Sequence, residues 1–291
     1  MNTSPNNQAT ITIALLTRNG GELLKRLLDA VRNQKTSREI EYIAIDSGST
    51  DDTTKKLTEA GFQIVSISSD AFNFGSSRDQ LYGLASHEYV VNLSQDAIPS
   101  HDQWLENLVA PLDDHENVAV SCGRSIPDEE RAFAQFPWEK NGYFYFTKEM
   151  QRFAKKHGKG VSFANSAVRR EVWEKIRFQP IVLAEDFQFQ VELQKAGWET
   201  SFPENAAVLH HHDYSLEELK HRCADEGEAM RLLGCPYSFG DCLSDWLHYR
   251  KNIQWLREIK YHRLNSKAAW LFPLLRPWAV YRGNRKAVRN L

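Results

Sequence analysis

Acidic side chains that could do chemistry stand at three separated places in this sequence of 291 residues: Asp46, Asp96 and the adjacent pair Glu185-Asp186. An ionised carboxylate can accept a hydrogen bond from a ring N–H or a ribose hydroxyl, and it can bind a hard divalent cation beside a diphosphate. Held on a rigid element, it can also take a proton from an attacking hydroxyl. The sequence around each acid favours a different one of these tasks.

Asp46 ends an apolar segment, Ile40–Asp46, and the residues Ser-Gly-Ser-Thr-Asp-Asp follow it. Open α/β sheets bind ligands in the crevice outside the carboxyl ends of their strands, where Asp46 is expected to lie. Gly48 permits a tight turn, and Ser49 with Asp52 matches a capping box that would start a helix. A carboxylate there would repel phosphate, so we expect it to contact the base or sugar of a nucleotide. An ordinary strand-to-helix turn is the alternative interpretation.

Asp96 follows a second apolar segment, Glu88–Leu93, within the sequence Ser-Gln-Asp-Ala. The carboxyl ends of parallel strands meet at one edge, so Asp96 is predicted beside Asp46 and could bind Mg²⁺ or Mn²⁺ there. His210 and His212 fall on one face of a predicted strand, and one imidazole could complete the metal's ligands. A turn-capping role for Asp96 and a surface cluster of histidines are the alternatives.

Glu185 and Asp186 begin a predicted helix, Glu185–Ala196. Two acids at a helix N-terminus commonly do no more than complement the helix dipole. The functional interpretation makes Asp186 the general base that takes a proton from an attacking hydroxyl. Glu185 would then orient the loop or the acceptor.

Polar and basic residues suited to a nucleotide flank these acids. Thr17, Arg18 and Asn19 end the first predicted strand, and Arg78 lies in the segment Phe-Asn-Phe-Gly-Ser-Ser-Arg-Asp before a predicted helix. Hydroxyl, amide and guanidinium groups near helix starts suit contacts with a nucleotide and its phosphates. The sequence has neither G-x-x-x-x-G-K nor G-x-G-x-x-G, so it supports neither a P-loop enzyme nor a dinucleotide oxidoreductase.

Strands alternate with helices through the first 124 residues, which predicts an α/β fold with a mainly parallel, Rossmann-like sheet flanked by helices. We expect residues 1–124 to bind the nucleotide and residues 125–233 to bind the acceptor, with long loops over the active face across 125–163. The aromatic residues of that loop segment are expected mostly in the core, with Trp138 or a tyrosine as candidates to stack on a sugar ring. Residues 234–291 are expected to form a basic helical extension.

The amino-acid composition of the chain restricts the classes of partner that it is expected to bind. The chain is 42% hydrophobic and 25% charged, and its net charge of −2 argues against a dedicated nucleic-acid binder. Residues 250–291 nevertheless hold eleven Lys or Arg and one acid, Glu258. Such a tail suits an anionic membrane surface or a phosphate-bearing acceptor, although a solvated helical face is the alternative. The aromatic residues expected to contact the membrane are Trp270, Phe272, Trp278 and Tyr281, among Arg276, Arg282 and Arg285.

Residues 1–10 are polar, with no apolar run typical of a signal peptide. The late apolar run 268–275 is interrupted by Pro273 and is too short to span a bilayer. The four cysteines form no C-x-x-C pair and are expected to be reduced and structural. Together these features predict a cytoplasmic protein that could associate peripherally with the inner face of the membrane.

Five short motifs in order make the sequence similar to family 2 glycosyltransferases of the GT-A fold. Those motifs are Thr-Arg-Asn at 17–19, Asp-Ser-Gly-Ser-Thr-Asp at 46–51, Ser-Gln-Asp-Ala at 94–97, Asn-Ser-Ala at 165–167 followed by Arg-Arg-Glu-Val-Trp, and Glu-Asp at 185–186. Within the family, the Phe-Asn-Phe-Gly segment and His-His-His-Asp-Tyr-Ser at 210–215 look most like bacterial rhamnosyltransferases. The resemblance covers roughly Ile11 to Leu233.

The resemblance implies an inverting transfer of a sugar from a nucleoside diphosphate, with dTDP-rhamnose or a UDP-sugar as donor and a glycan or lipid-linked glycan as acceptor. Asp46 would bind the base, and Thr17 and Asn19 the nucleoside. Asp96 would be the remaining carboxylate of the family's Asp-x-Asp metal motif, with His210 or His212 as the late ligand of Mg²⁺ or Mn²⁺. Asp186 would be the catalytic base.

The sequence departs from the family pattern at two positions. Ser94 replaces the first Asp of the metal motif, and Phe74 stands where the rhamnosyltransferases often have His. Two other classes compete with this interpretation: a nucleotidyltransferase that makes sugar nucleotides, and a catalytically inactive glycan-binding module. A nucleotidyltransferase would need a Gly-rich loop with Arg or Lys directly after the first strand, and the segment Thr17-Arg18-Asn19-Gly20-Gly21 has the glycines but lacks the rest. An inactive glycan-binding module would not need the acidic residues.

Overall fold

The computed structural model describes residues 9–128, 138, 146–181, 183–210, 212 and 214–289, the side chains of 288 and 289 excepted. The chain divides into two compact units. The first contains residues 9–126, 161–180 and 185–210, and the second contains the described residues of 127–160, 181–184 and 211–289. The aromatic residues Phe133, Phe136, Tyr143, Phe144 and Tyr145, and also His211, lie outside the described part of the chain.

A seven-stranded sheet forms the centre of the first unit, in the order β3-β2-β1-β4-β8-β6-β9. All neighbouring strands run parallel except β8, which is antiparallel to both β4 and β6. The predicted mainly parallel sheet is therefore confirmed. Its strands are β1 (Ile11–Thr17), β2 (Ile40–Asp46), β3 (Gln63–Ser66), β4 (Tyr89–Ser94), β6 (Val118–Cys122), β8 (Asn165–Arg169) and β9 (Glu199–Ser201).

Helices cover the sheet because its strands are apolar on both faces. Strand β1, for example, reads Ile-Thr-Ile-Ala-Leu-Leu-Thr, and only Leu16 in it is partly exposed. Helix α1 supplies an apolar stripe of Leu24, Leu27, Leu28 and Val31 to one side. The helices of this unit are α1 (Gly21–Arg32), α2 (Thr53–Glu59), α3 (Phe74–Leu84), α4 (Trp104–Asp114), α6 (Arg170–Lys175) and α7 (Glu185–Lys195).

Strand β8 was not predicted as a strand, because it starts with two polar residues. Asn165 and Ser166 are buried, and they are satisfied inside the core. The amide of Asn165 accepts from the indole of Trp104 at 3.1 Å and donates to the carbonyl of Ala206 at 2.8 Å. Since β8 runs antiparallel, its first residue lies at the edge of the sheet where β1, β2 and β4 end.

A small second sheet has the strand order β5-β10-β7. Its strands β5 and β7 follow β4 and β6 closely in the sequence. It consists of Ile98–Pro99 (β5), Ser125–Ile126 (β7) and Val208–Leu209 (β10). The predicted strand 206–212 is therefore reduced to two residues that end before His210.

The second unit is helical in its described part. Its helices are α5 (Lys148–His157), α8 (Leu216–Leu232), α9 (Phe239–Trp246), α10 (Tyr249–Lys260) and α11 (Lys267–Arg289). Helix α5 lies in the segment predicted to consist of long loops and short elements. Ser215 and Glu218 form a capping box at the start of α8. Trp138 is fully buried and stacks on Phe272, so it belongs to the core, and its predicted alternative role of stacking on a sugar ring is wrong.

Helices α8 and α11 cross at two glycines. A Cβ atom on Gly227 would lie 2.2 Å from the carbonyl oxygen of Val280, and one on Gly283 would lie 1.8 Å from the carbonyl oxygen of Ala224. Only glycine allows the two backbones to approach this closely. This crossing ties α8 to the last helix, and both helices belong to the second compact unit.

Two prolines inside α11 leave carbonyl groups without their helical donors, because proline has no N–H. Pro273 frees the carbonyl of Ala269, which accepts from the indole of Trp138 at 2.7 Å. Pro277 frees the carbonyl of Pro273, which accepts from the ammonium group of Lys251 at 3.1 Å. Each gap in the helix is thus closed by a side chain from elsewhere in the unit. No helix in the described ranges has both the length and the apolar character needed to cross a bilayer.

Candidate active site

Several of the residues predicted to do chemistry lie at one edge of the seven-stranded sheet. Register places Thr17 opposite Asp46 and Leu16 opposite Ser94, so β1, β2 and β4 end together. Asn165 pairs with Leu93, so antiparallel β8 begins at the same edge. Side chains that are far apart in the sequence therefore border one crevice.

Asp46 is 2% exposed and is held by the turn that follows it. Its carboxylate accepts from the hydroxyl of Thr17 at 3.2 Å and from the backbone N–H groups of Gly48 and Ser49 at 3.2 and 2.9 Å. The Ser49 hydroxyl also donates to it. Gly48 has a φ of +85°, a backbone region that favours glycine. Asp46 thus orders its own turn, and its contact with a base stays a prediction.

The predicted capping box at Ser49 and Asp52 is wrong. Helix α2 begins at Thr53, and no side chain caps it at Asp52. The hydroxyl of Ser49 instead accepts from the backbone N–H of Asn19 at 2.8 Å. Ser49 is unavailable to the helix because it joins the turn after β2 to the loop after β1.

Reciprocal hydrogen bonds lock the three loops at this edge together. The amide oxygen of Asn19, whose backbone is left-handed with a φ of 48°, accepts from the N–H of Thr50 at 2.8 Å. Gln95 accepts from the N–H of Arg18 and donates to its carbonyl, both at 2.9 Å. The side chain of Arg18 is exposed, so its expected contact with phosphate is sterically open and stays a prediction. Sequence reasoning missed Gln95 as the link between the first and fourth strands.

Asp96 and His210 lie together, as the sequence predicted for one of the histidines. The Nδ1 atom of His210 is 3.4 Å from Oδ1 of Asp96, and the imidazole is 7% exposed. The backbone N–H of His210 donates to the carbonyl of Ile126 at 3.1 Å, which extends the small sheet by one bond and fixes the backbone at this position. His212 belongs to the second unit, where its ring stacks on Tyr214 at 5.1 Å.

One carboxylate and one imidazole can hold a divalent cation only if other ligands complete its coordination. Among the residues that the structure describes, no group of three or more His, Cys, Asp and Glu could hold a metal by itself. Magnesium-type ions, however, are commonly bound by one or two protein ligands together with substrate phosphates and water. The pair Asp96–His210 fits a cation that arrives with, or is completed by, a diphosphate.

Asp186 lies in the first turn of α7 and is partly buried. Burial and, to a lesser degree, the charge of the adjacent Glu185 raise the pKa of Asp186 from 3.8 to about 7. Its Oδ1 atom accepts from the N–H of Phe187 at 2.8 Å. The residue before the helix, Ala184, is left-handed with a φ of 67°, a conformation that costs a non-glycine residue about 1 kcal/mol or more and that clusters at functional sites.

Glu185 is engaged in a buried ion pair and is not exposed as a base. Its Oε1 atom lies 3.1 Å from both Nε and Nη2 of Arg78. Arg78 is itself 6% exposed, and its Nη1 donates to the amide oxygen of Asn92 at 2.9 Å. Asn92 in turn donates to the hydroxyls of Tyr82 and Ser166. The predicted contact of Arg78 with a phosphate does not agree with this burial, because its guanidinium is hydrogen-bonded to Glu185 and Asn92.

A continuous path of contacts joins Asp186 to the strand ends. The N–H of Phe163 donates to the Asp186 carboxylate, and the guanidinium of Arg78 lies 4.8 Å from the Phe163 ring centre. The next residue, Ala164, accepts from the N–H of Ser94 at 3.1 Å, two positions before Asp96. These contacts connect the base candidate to the strand end that precedes the metal candidate.

Replacing Arg78 with Met should leave Glu185 buried without its counter-ion. We expect the free energy of unfolding to fall by about 3 to 5 kcal/mol, the usual cost of breaking one side of a buried ion pair. Because Arg78 lowers the pKa of Asp186, its loss should also move the acid limb of the activity profile to higher pH. Urea unfolding and a pH–rate profile measure the two effects.

The matched control is Arg177→Met. Arg177 pairs with Asp79, but its side chain is 53% exposed, so its loss should cost less than about 1 kcal/mol. Equal destabilisation by the two substitutions would contradict the buried role assigned to Arg78.

Comparison with known proteins gives this fold and site a class. The family model of glycosyl transferase family 2 matches residues 12–177, more than half of the chain. The chain belongs to this family. The matched span includes Thr17, Asp46 and Asp96 but ends before Asp186 and His210.

Two curated relatives extend the likeness. The chain is 30% identical to the O-antigen chain rhamnosyltransferase RfbN of Salmonella typhimurium over 227 residues, which cover 75% of this chain and 71% of that protein. It is 31% identical to the O-antigen chain rhamnosyltransferase WbaN of Salmonella anatum over 203 residues, 67% of this chain and 64% of the relative. These matches confirm the predicted family and the predicted similarity to bacterial rhamnosyltransferases.

A solved structure shows the same fold. The mannosyltransferase PcManGT from Pyrobaculum calidifontis, in complex with GDP-Man and Mn²⁺, has a TM-score of 0.58 with 16% sequence identity. The alignment covers 98% of this chain and 76% of that protein. At this identity the likeness establishes the fold alone, and it confirms the predicted GT-A architecture with a C-terminal helical region.

Proposed function

We propose that this glycosyltransferase moves a sugar from a nucleoside diphosphate to a hydroxyl group of a glycan or lipid-linked glycan, with inversion at the anomeric carbon. Two observations support the proposal: the pair Asp96–His210 follows the end of β4, and contacts through Phe163 and Ala164 connect Asp186, whose pKa is raised to about 7, to the same strand end. One part of the crevice can accept a proton at neutral pH, and another can neutralise a diphosphate.

Asp186 is the proposed base. Efficient proton transfer needs a base whose pKa lies near the working pH, and burial brings this carboxyl to that range. It takes the proton of the acceptor hydroxyl as the oxygen attacks the anomeric carbon from the face opposite the diphosphate. Glu185 and Arg78 fix the start of the helix that carries it, so the carboxylate is positioned before the acceptor arrives.

Asp96 and His210 are the residues that would hold Mg²⁺ or Mn²⁺. Such a cation, when bound, offsets the negative charge that grows on the departing diphosphate. The phosphate leaving group needs no acid to protonate it, which distinguishes this reaction from glycoside hydrolysis. Asp46, Thr17 and Asn19 would bind the nucleoside, and exposed Arg18 would contact its phosphates.

The donor and acceptor follow from similarity and chemistry together. RfbN and WbaN are named as O-antigen chain rhamnosyltransferases, which favours a dTDP-rhamnose donor and an acceptor in bacterial surface polysaccharide. A UDP-sugar is the other donor that we consider. We place the reaction on the cytoplasmic side of the membrane, where a lipid-linked acceptor would be within reach.

Isothermal titration of the purified chain with dTDP-rhamnose, UDP-glucose and GDP-mannose, each with and without Mn²⁺, tests the proposal. We expect dTDP-rhamnose to bind at least about tenfold more tightly than the other two, and Mn²⁺ to strengthen that binding by a further factor of about ten. Failure of all three nucleotide sugars to bind would contradict the enzyme assignment and favour an inactive glycan-binding module. Release of pyrophosphate from a nucleoside triphosphate would instead indicate a nucleotidyltransferase.

A further inference from the structure

Helix α10 turns three apolar side chains outward and two charged side chains inward. Tyr249, Ile253 and Leu256 are 63%, 48% and 65% exposed, whereas Lys251 and Glu258 are 0% and 3% exposed. At about 100° per residue, the three exposed residues fall within a stripe about 60° wide, and the two buried charges point about 180° away. This is the reverse of the pattern that a helix on a globular surface normally shows.

The inward charges fix this orientation. The ammonium group of Lys251 donates to the carbonyl of Asp245 at 2.7 Å and to that of Pro273, which Pro277 leaves without a helical donor. Rotating α10 to bury its apolar stripe would remove Lys251 from these carbonyls. Burial of Lys251 and exposure of the apolar stripe are therefore linked.

The exposed stripe continues onto neighbouring helices of the same unit. Trp246, at the end of α9, donates its indole N–H to the carbonyl of Leu274 at 2.9 Å and stacks on Trp278 at 6.4 Å. The next residue, Leu247, is 78% exposed. Helix α11 adds its own exposed apolar residues beside this junction. We call the whole set the apolar face: Leu247, Tyr249, Ile253, Leu256, Trp270, Leu271, Leu274 and Trp278.

The exposed charges of the chain segment that carries the apolar face have a single sign. Between Trp246 and Leu291 the sequence contains one acid, Glu258, which is buried. Exposed basic residues follow the stripe along α10, the turn after it and the start of α11: Arg257, Lys260, Arg263 and Lys267. A second copy of this chain would bring like charges together at such a face, whereas an anionic partner would be attracted.

We propose that the apolar face and its basic residues bind the surface of a membrane that contains anionic lipid, with α10 lying in the interface. Exposed aliphatic and aromatic residues flanked by Lys and Arg are the combination that favours this mode of binding. The face differs from the one expected from sequence, because Phe272 and Arg276 are fully buried and α10 supplies the outward stripe. This inference goes beyond the proposed reaction and depends on no catalytic assignment.

Co-sedimentation of the full chain with vesicles tests the inference. We expect recovery with mixed phosphatidylglycerol–phosphatidylcholine vesicles, and little with phosphatidylcholine alone or at high salt. Replacing Tyr249, Ile253 and Leu256 together with Ser should weaken binding by at least about tenfold. Arg257→Glu with Lys260→Glu should weaken it by at least about 25-fold, or about fivefold for each basic residue.

The matched control is Lys25→Glu with Lys55→Glu, which makes the same change of charge on exposed residues of the first unit and should leave vesicle binding within about twofold. Circular dichroism of each variant verifies that it is folded. Equal recovery of the wild-type chain and the triple Ser variant would overturn the proposal. So would light scattering that shows a dimer in the wild-type chain, a monomer in the Ser variant and no vesicle binding by either. Titration of the donor sugar without vesicles separates this outcome from failure of the proposed reaction.

Discussion

Replacing Asp186 with Asn should lower the rate of sugar transfer by about 10²- to 10⁴-fold, the usual contribution of a positioned general base. The dissociation constant of the donor should stay within about twofold, because the amide keeps the shape of the side chain and the proposed role concerns the acceptor proton. Steady-state transfer assays and calorimetric titration of the donor measure the two quantities. A variant that transfers at the wild-type rate would show that the base is another residue.

The pH dependence gives a second test of the same residue. The carboxylate form is the active one, and its pKa is raised to about 7, so wild-type activity should increase as pH rises through this range. The Asp186→Asn variant should lack this limb. Glu192→Gln is the matched control, because Glu192 lies on the same helix with its side chain 38% exposed, and the activity and pH profile of this variant should equal those of the wild-type enzyme.

The same shift implies a cost in stability. A carboxyl whose pKa is higher in the folded state than in the unfolded chain favours folding at low pH, and that contribution is lost as pH rises from about 4 to about 7. We therefore expect Asp186→Asn to unfold at higher urea concentration than the wild-type enzyme at pH 8, and at nearly the same concentration at pH 4. A loss of transfer together with this gain in stability would exclude misfolding as its cause.

Replacing Asp96 with Asn should have the second-largest effect on transfer, a loss of about 10²- to 10³-fold. The amide can no longer supply the anionic ligand, so a higher Mn²⁺ concentration should be needed for half-maximal rate. His210→Asn should act in the same direction, and the double variant should lose less than the sum of the two single losses because the residues serve one cation. Transfer assays across a Mn²⁺ titration measure these effects.

His212→Asn provides the control within the histidine run. His212 belongs to the second unit and stacks on Tyr214, so its substitution should leave the Mn²⁺ dependence unchanged. If His212→Asn instead reproduced the Asp96 phenotype and His210→Asn did not, the assignment of the metal ligand would be reversed. Both single substitutions are therefore needed.

Much of the first unit could be predicted from residue patterns alone. Strand β2 has the predicted bounds, because an aliphatic and β-branched run followed by polar residues fits a strand that is buried on both faces. The positions of Asp46 and Asp96 at strand ends followed from the same reasoning. Their placement on one edge followed from the rule that parallel strands bring their carboxyl ends together.

Strand β8 shows where local pattern fails. Its first residues, Asn165 and Ser166, look like a surface turn, yet the core supplies partners for both of them. Those partners, such as Trp104 and Asn92, are more than 60 positions away in sequence for each bond. Long-range satisfaction of buried polar groups cannot be seen in a local window.

Arg78 and Glu185 make the same point for the site. Each was a plausible surface or ligand-binding residue by type, but their ion pair spans 107 positions and is buried. Whether a charge faces a ligand or a partner in the core depends on where the chain places its counter-ion. Alternation along a strand places His210 and His212 on the same face, so it could not distinguish them as metal ligands. Strand β10 ends at Leu209, and the structure places His210 beside Asp96.

The sequence by itself determined the alternation of strands and helices, the edge at which the acids lie and the sign of the charge at the C-terminal end. The tertiary structure decided which of those charged groups are buried in pairs, which histidine meets Asp96 and which side of α10 faces outward. The physical reason is that covalent order and periodicity act over a few residues, whereas burial and ion pairing depend on groups that only folding brings together.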